Sequence, residues 1–179
     1  RRTFCILILG WNLTRRSNEH WRTVNHSDPS PLAAQGTIPE DLAADQLGII
    51  IVDHGSRLEA SNESLLEVIQ HFLTASSYAI VEPAHMEIAE PTIGMAFERC
   101  VQQGARFVVI HPYFLAPGKH WQVDIPRLAA EASQAHPGMG YVVTAPLGPH
   151  PTMCEIMQQR IDDAMANHPG ASAAGNPKD

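Results

Sequence analysis

Between Leu47 and Asp53 the chain reads "LGIIIVD", an unbroken apolar run rich in β-branched residues that stops at a charged turn, "DHGSR". A short run of this kind fits a strand buried on both faces of a sheet. The next stretch, "SRLEASNESLLEVIQHFL", changes period. Leu65, Ile69 and Phe72 fall at i, i+4 and i+7, the stripe of an amphipathic helix. Ser56 and Glu59 have the spacing of a capping box at its start. The alternation then repeats. "YAIVEPAHM" predicts a second strand, with Pro83 limiting its pairing. "PTIGMAFERCVQQ" predicts a second helix, entered at Pro91 and closed by Gly104. "RFVVIHPYF" and "DIPRLAAEASQAH" supply a third pair, the helix capped at Asp124 with Pro126 in its first turn. "GYVVTAPL" and "TMCEIMQQRIDDAMA" supply a fourth, with Thr152 and Glu155 as another capping box. Strand–helix units in this order predict βαβ crossovers. The expected fold is α/β: a parallel four-stranded sheet with helices on both faces, a flavodoxin-like three-layer sandwich.

The flanks differ. Residues 1–46 hold no sustained period and are punctuated by Pro29, Pro31, Gly36 and Pro39, which predicts an irregular segment. The start carries Arg1, Arg2, Arg15 and Arg16, and acids appear only from Glu19. That pattern suits a transit-peptide remnant, with a plain disordered tail as the alternative. From residue 167 onward "NHPGASAAGNPKD" is small and polar, as expected of a disordered tail. Residues 47–166 remain as one folded domain.

A chain of 179 residues with 44% hydrophobic content has room for a single proper core. The formal net charge of −7 counts against a nucleic-acid partner, which asks for a basic face. It leaves room for a local basic pocket. No apolar run approaches the roughly 20 residues that cross a bilayer, so no membrane partner is expected. Cys5, Cys100 and Cys154 are far apart and contain no CxxC pair. That speaks against structural zinc, a cysteine-bound iron–sulfur cluster and a disulfide framework.

Ligands of open α/β sheets bind beyond the carboxyl ends of the strands. The predicted ends carry Asp53, His54, Ser56 and Arg57; then His85, Glu87 and Glu90; then His111, Lys119, His120, Trp121 and Asp124; and finally His150. The opposite rim, with "TASS", "QQGA" and "HPGM", is blander. Singly, each residue has an ordinary role: His54 as a turn residue, Glu87 as a solvated carboxylate, His120 as a surface partner of Trp121. Asp53 fits a brace for the turn, with an effect on His54 basicity as the other reading. Met86, Met95 and Phe97 fit the core. Convergence on one rim favours a site. Two imidazoles and a carboxylate without a nearby thiolate suit a divalent metal such as Fe²⁺ or Co²⁺, and neutral imidazole also serves as a base. A Ser56 nucleophile lacks the GxSxG elbow. A phosphohistidine site asks for arginine immediately before the histidine, where Asp53 stands.

"IIIVDHGSR", "VEPAHMEIAEPTI", "CVQQGARFVVIHPYFLAPGKHWQVDIP" and "TAPLGPH" occur in an order and spacing that resemble the sirohydrochlorin chelatases, a family of class II chelatases, from Leu47 to Ala166. "VEPAHME" and "FLAPGKHW" are most similar to the chloroplast ferrochelatase branch of plants and algae. The resemblance implies a chelatase-like half-unit and a lyase that inserts Fe²⁺ into sirohydrochlorin, giving sirohaem and releasing two protons. Cobalt insertion for cobalamin synthesis, or a non-catalytic tetrapyrrole or metal carrier, are the alternatives. It also implies that His54, Glu87 and His120 handle the metal and protons, with the metal ion as substrate and no tightly bound cofactor. Arg57, Ser56 and Lys119 would meet the substrate's carboxylates. His85 stands where the family usually has an apolar residue. One half-unit per chain implies a homodimer, and the branch implies a chloroplast location. The ending "GNPKD" has no cysteines of the kind that tie an iron–sulfur cluster in some relatives.

Overall fold

The computed structural model describes residues 32–115 and 120–168, with the backbone alone at His120 and Trp121. The expectations for a targeting remnant and for most of the polar tail lie outside the described residues. Five strands form one sheet: β1 (Ala33–Gln35), β2 (Leu47–Asp53), β3 (Ile80–His85), β4 (Phe107–Pro112) and β5 (Gly140–Val143). Their order is β1-β5-β4-β2-β3. The last four are parallel where they pair, as expected, while β1 runs antiparallel to β5. β1 is the addition, drawn from the stretch expected to be irregular. Three residues are too few to print a period. Ala33 pairs with Val143 and Gln35 with Tyr141, and Gly36 then turns the chain at φ +81. A Cβ at Gly36 would stand 2.9 Å from the Gly140 Cα, so only glycine fits that crossing.

Four α-helices follow the parallel strands: α1 (Glu59–Ala75), α2 (Ile93–Gln102), α3 (Ile125–Gln134) and α4 (Pro151–Ala166). Strand parity divides the core. Ile50 and Val52 of β2 join Val108 and Ile110 of β4 on the face covered by α2 and α3, where Ile93, Phe97, Ile125 and Ala129 pack. Ile49 and Ile51 point the other way, against Leu65 and Ile69 of α1. Burial on both faces is why β2 reads as a continuous apolar run instead of an alternation. Pro83 is tolerated because β3 is an edge strand, where one N–H of each pair faces no neighbour.

Helix ends correct three expectations. α1 begins at Glu59 with Leu58 at the N-cap, so the Ser56–Glu59 box does not form. α4 begins at Pro151, and the His150 Nδ1 accepts from the Thr152 N–H at 3.3 Å in place of a Thr152–Glu155 box. Asp124 does precede α3, but its side chain caps nothing, because residues His120–Asp124 are already wound in a π-helical turn. α2 is capped by Thr92, whose Oγ1 accepts from the Met95 N–H, with Pro91 one residue outside. Gly104 sits at φ +94 just beyond α2, the expected left-handed stop.

His111 lies within β4, not beyond it as expected. Its Nδ1 is 2.7 Å from the Thr144 Oγ1. Thr144 donates its own hydroxyl hydrogen to the Ala145 carbonyl, so the His111 Nδ1–H is the donor. Burial lowers the His111 pKa below its ordinary value. The unfolded chain therefore takes up a proton here first. Folding stability is lost as pH falls below the ordinary histidine range, about 6.5, by at most ~1.4 kcal/mol per pH unit from this group. Urea unfolding at several pH values should show a steeper acid loss in the native chain than in a His111→Asn variant.

Candidate functional site

β2 connects through α1 to β3 on one side, whereas β4 connects through α3 to β5 on the other. The direction of winding reverses between β2 and β4. The crevice beyond their carboxyl ends is the place where such sheets take ligands. His54 follows β2 and Phe114 follows β4, and their rings stack across the crevice with centroids 4.1 Å apart and planes at 28°. Phe114 is buried, while His54 is exposed. Stacking covers one ring face and leaves the in-plane nitrogen atoms out of that contact.

The turn after β2 is built by side chains. The Asp53 Oδ1 accepts from the Gly55 N–H at 2.9 Å, an Asx turn. The same oxygen lies 2.5 Å from the His85 Nδ1. A carboxylate only accepts, so that ring nitrogen carries the hydrogen. His85 is 3% exposed. It therefore braces the turn from below, and Asp53 does so from within. Gly55 has φ +80, and a Cβ there would fall 2.1 Å from the Glu87 carbonyl oxygen. Both the conformation and the close approach demand glycine. Asn62, in the first turn of α1, clamps the next residue: its Oδ1 accepts from the Ser56 N–H at 2.8 Å and its Nδ2 donates to the Ser56 carbonyl at 2.9 Å. The Ser56 Oγ accepts from the Leu58 N–H, so Ser56 shapes the turn and not the helix cap. Arg57 follows directly and is exposed.

The ladder between β3 and β2 continues past both strands. The Met86 N–H donates to the Asp53 carbonyl at 2.9 Å, and the Glu87 N–H donates to the His54 carbonyl at 3.2 Å. Glu87 is thereby set beside His54, exposed on the rim. Ile88 then adopts φ +73, and the Ala89 N–H returns to the Glu87 carbonyl at 2.8 Å. A β-branched residue in the left-handed region costs about 1–2 kcal/mol, a strain that collects at functional sites. On the other side the Tyr113 N–H donates to the Val52 carbonyl at 2.8 Å, which carries the chain to Phe114.

The structure thus brings His54 and Glu87 together, with Arg57 and Ser56 in the same turn. Lys119 lies outside the described residues, as do the side chains of His120 and Trp121. The His120 backbone opens the π-helical turn that ends the loop after β4. Among the described residues no three His, Cys, Asp or Glu side chains cluster closely enough to hold a metal. His111 and His150, expected on the rim, are respectively a sheet residue and a helix cap. Sequence reasoning missed Asn62 and Phe114. The signal for Phe114 was an apolar residue two places beyond a strand that buries its neighbours; Asn62 offered none.

A doubly wound α/β sandwich with nitrogen and oxygen donors at its strand switch is the class that this fold and rim define. Residues 48–164 match the family model described as CbiX, and the chain belongs to that family. It is 51% identical over 123 residues to the chloroplastic sirohydrochlorin ferrochelatase of Arabidopsis thaliana, covering 69% of this chain and 55% of that protein. It is 40% identical over 80 residues to a sirohydrochlorin cobaltochelatase of Methanococcus maripaludis, covering 45% of this chain and 56% of that protein. SirB from Bacillus subtilis, solved with Fe³⁺, superposes with a TM-score of 0.62 at 26% identity, covering 66% of this chain and 47% of SirB. The chain spans about half the length of these relatives.

Gly55→Ala should destabilise the fold by at least about 2 kcal/mol, because the new Cβ meets backbone and cannot be relieved by a rotamer. The loss is read as a lower urea midpoint. An unchanged midpoint would contradict the close approach of Gly55 to Glu87.

Proposed function

We propose that this chain is a sirohydrochlorin ferrochelatase, inserting Fe²⁺ into sirohydrochlorin to give sirohaem with release of two protons. The observation that carries the reading is the pairing of His54 and Glu87 at the strand switch, in a CbiX-family chain half-identical to a plant ferrochelatase of that substrate. Insertion needs a metal held nearby with few protein ligands, a base for the inner N–H protons, and access along the ring normal. His54 and His120 supply nitrogen donors that either bind metal or take a proton. Glu87 supplies an oxygen donor or passes a proton to solvent. The hold on the ion has to be loose, since a closed four-ligand cage would not release its cargo. Arg57 and Lys119 pair with the peripheral carboxylates, with Ser56 beside them. The iron ion is substrate, and no resident cofactor enters the scheme.

A second reading, cobalt insertion, has the archaeal cobaltochelatase in its favour, and imidazole–carboxylate sets suit both ions. The chloroplast location follows the plant relative. A homodimer is supported by the match of this chain to just under half of SirB, so that two copies would supply two half-units.

The test is anaerobic mixing of the protein with sirohydrochlorin and either Fe²⁺ or Co²⁺, followed in the visible spectrum. Conversion with Fe²⁺ should outpace both the uncatalysed control and conversion with Co²⁺. Faster conversion with Co²⁺ selects the second reading. Binding without acceleration by either ion identifies a carrier and defeats the enzyme. His54→Ala should lower the insertion rate about 10²–10⁴-fold, the usual worth of a positioned acid–base group, with its melting temperature nearly unchanged. Glu87→Gln should also slow insertion. Near-normal turnover in both variants would remove the site from this rim.

A further inference from the structure

Among the described residues the buried polar side chains are those of His85 and Ser133. His85 lies on the rim, yet it takes no part in the reaction proposed above. Its place joins two segments. It ends β3, in register with Asp53 at the end of β2. From there the chain runs out to Glu87 and returns: the His85 N–H donates to the Pro91 carbonyl at 2.7 Å, and His85 bridges to Thr92. The loop that carries Glu87 therefore starts and closes on the backbone of His85.

The side chain reaches the other way. Its Nδ1–H donates to the Asp53 Oδ1 at 2.5 Å, the oxygen that also takes the Gly55 N–H in the turn carrying His54. The residue stands close beneath that turn, since a Cβ on Gly55 would come within 3.1 Å of the His85 Cβ. One residue thus holds the Glu87 loop by its backbone and the His54 turn by its ring. The direct backbone link between the two proposed donors, from the Glu87 N–H to the His54 carbonyl, is 3.2 Å long, at the far end of the usual range. The shorter side-chain bond takes up that slack. It needs one Nδ1–H, which the ring can carry neutral or charged.

Arg57 is held separately. Both groups of the Asn62 amide clamp Ser56, the residue before it, from α1. Removing the His85 ring leaves that clamp and the Pro91 bond in place. It cuts the side-chain tie between the Glu87 loop and the His54 turn.

We propose that His85 is a positioning residue for metal handling: its hydrogen bond to Asp53 fixes the separation of His54 and Glu87, and it touches neither ion nor macrocycle. The proposal rests on the reading of His54 and Glu87 as the donors that meet the ion. Groups that orient metal donors from behind are worth about 10–100-fold in metal affinity or activity.

His85→Phe keeps a buried ring and removes the donor, whereas His85→Asn returns an N–H close to the Nδ1 position. His85→Phe should lower kcat for insertion about 10–100-fold and leave KM for sirohydrochlorin unchanged, because Arg57 is held by Asn62. It should weaken Co²⁺ binding to the resting protein, read from visible absorption, by a similar factor. His85→Asn should recover most of both. In an Asp53→Ala background His85→Phe should cost nothing further. Asp53→Ala alone, which removes the acceptor, should lose at least as much kcat and serves where His85→Phe does not fold. Native kcat in His85→Phe overturns the proposal, whatever its melting temperature. So do equal losses in the Phe and Asn variants, a rise in KM alone, or a loss that adds to that of Asp53→Ala. If the native chain inserts neither ion, the chelatase reading fails by itself, and the Co²⁺ affinities of the variants still decide the role of His85. A native chain without affinity for Co²⁺ overturns both.

Discussion

One carboxylate oxygen organises the rim of this sheet. The Asp53 Oδ1 takes the Gly55 N–H and the buried His85 ring together, and thereby ties the end of β2 to the end of β3 through side chains. Leaving a buried donor such as the His85 Nδ1–H without its partner costs about 1–3 kcal/mol, so the two segments are held to one geometry. Around that oxygen, backbone bonds from Met86 to Asp53 and from Glu87 to His54 extend the parallel ladder beyond the strands. The bond from Tyr113 to Val52 does the same on the other flank. His54 is consequently an extension of the sheet and not a residue on a free loop. Such placement is what a site needs if its donors are to be in position before the ligand arrives.

What could be read from the sequence was what burial writes into it. β2 is apolar without interruption because it is covered on both faces, and the helical stripe of α1 is equally plain at Leu65 and Ile69. The turn with His54 at its tip was legible for the same reason: a charged tetrad cannot continue a buried strand. The brace at Asp53 was foreseeable, but its partner was not, since His85 lies 32 positions away and reads as one more rim histidine. The capping box failed through competition. Ser56 and Glu59 have the right spacing, yet the Asn62 amide takes both backbone groups of Ser56 and draws it out of the cap position. His111 was counted with the rim although it falls inside the predicted strand "RFVVIHPYF". β4 instead pairs with β2 through Pro112, opposite Val52, which carries His111 into the sheet. β1 was hidden because three residues paired at an edge need no pattern of their own.

The stack of His54 on Phe114 bears on the role proposed for that imidazole. A histidine that both meets an ion and releases it gains from a fixed ring plane, because nitrogen lone pairs are directional in that plane. A hydrophobic face contact helps to fix that plane. Phe114 is itself buried, so the ring it presents is held by the core. Glu87 is fixed differently, by the backbone bond at its own N–H and by the left-handed turn at Ile88 that follows it. The ring of one proposed donor is placed by packing and the backbone of the other by hydrogen bonds.

The same Phe114 joins the rim to the turn that precedes α4. Its carbonyl accepts from Gly148, in the turn that launches α4, while its ring lies against His54. The seat of α4 and the plane of the His54 ring thus share one residue. The turn is anchored by Gly148 on Phe114 and by the His150 cap at the start of α4. The chain from the end of β4 to the start of α4 is thus tied back to the residue on which the His54 ring rests.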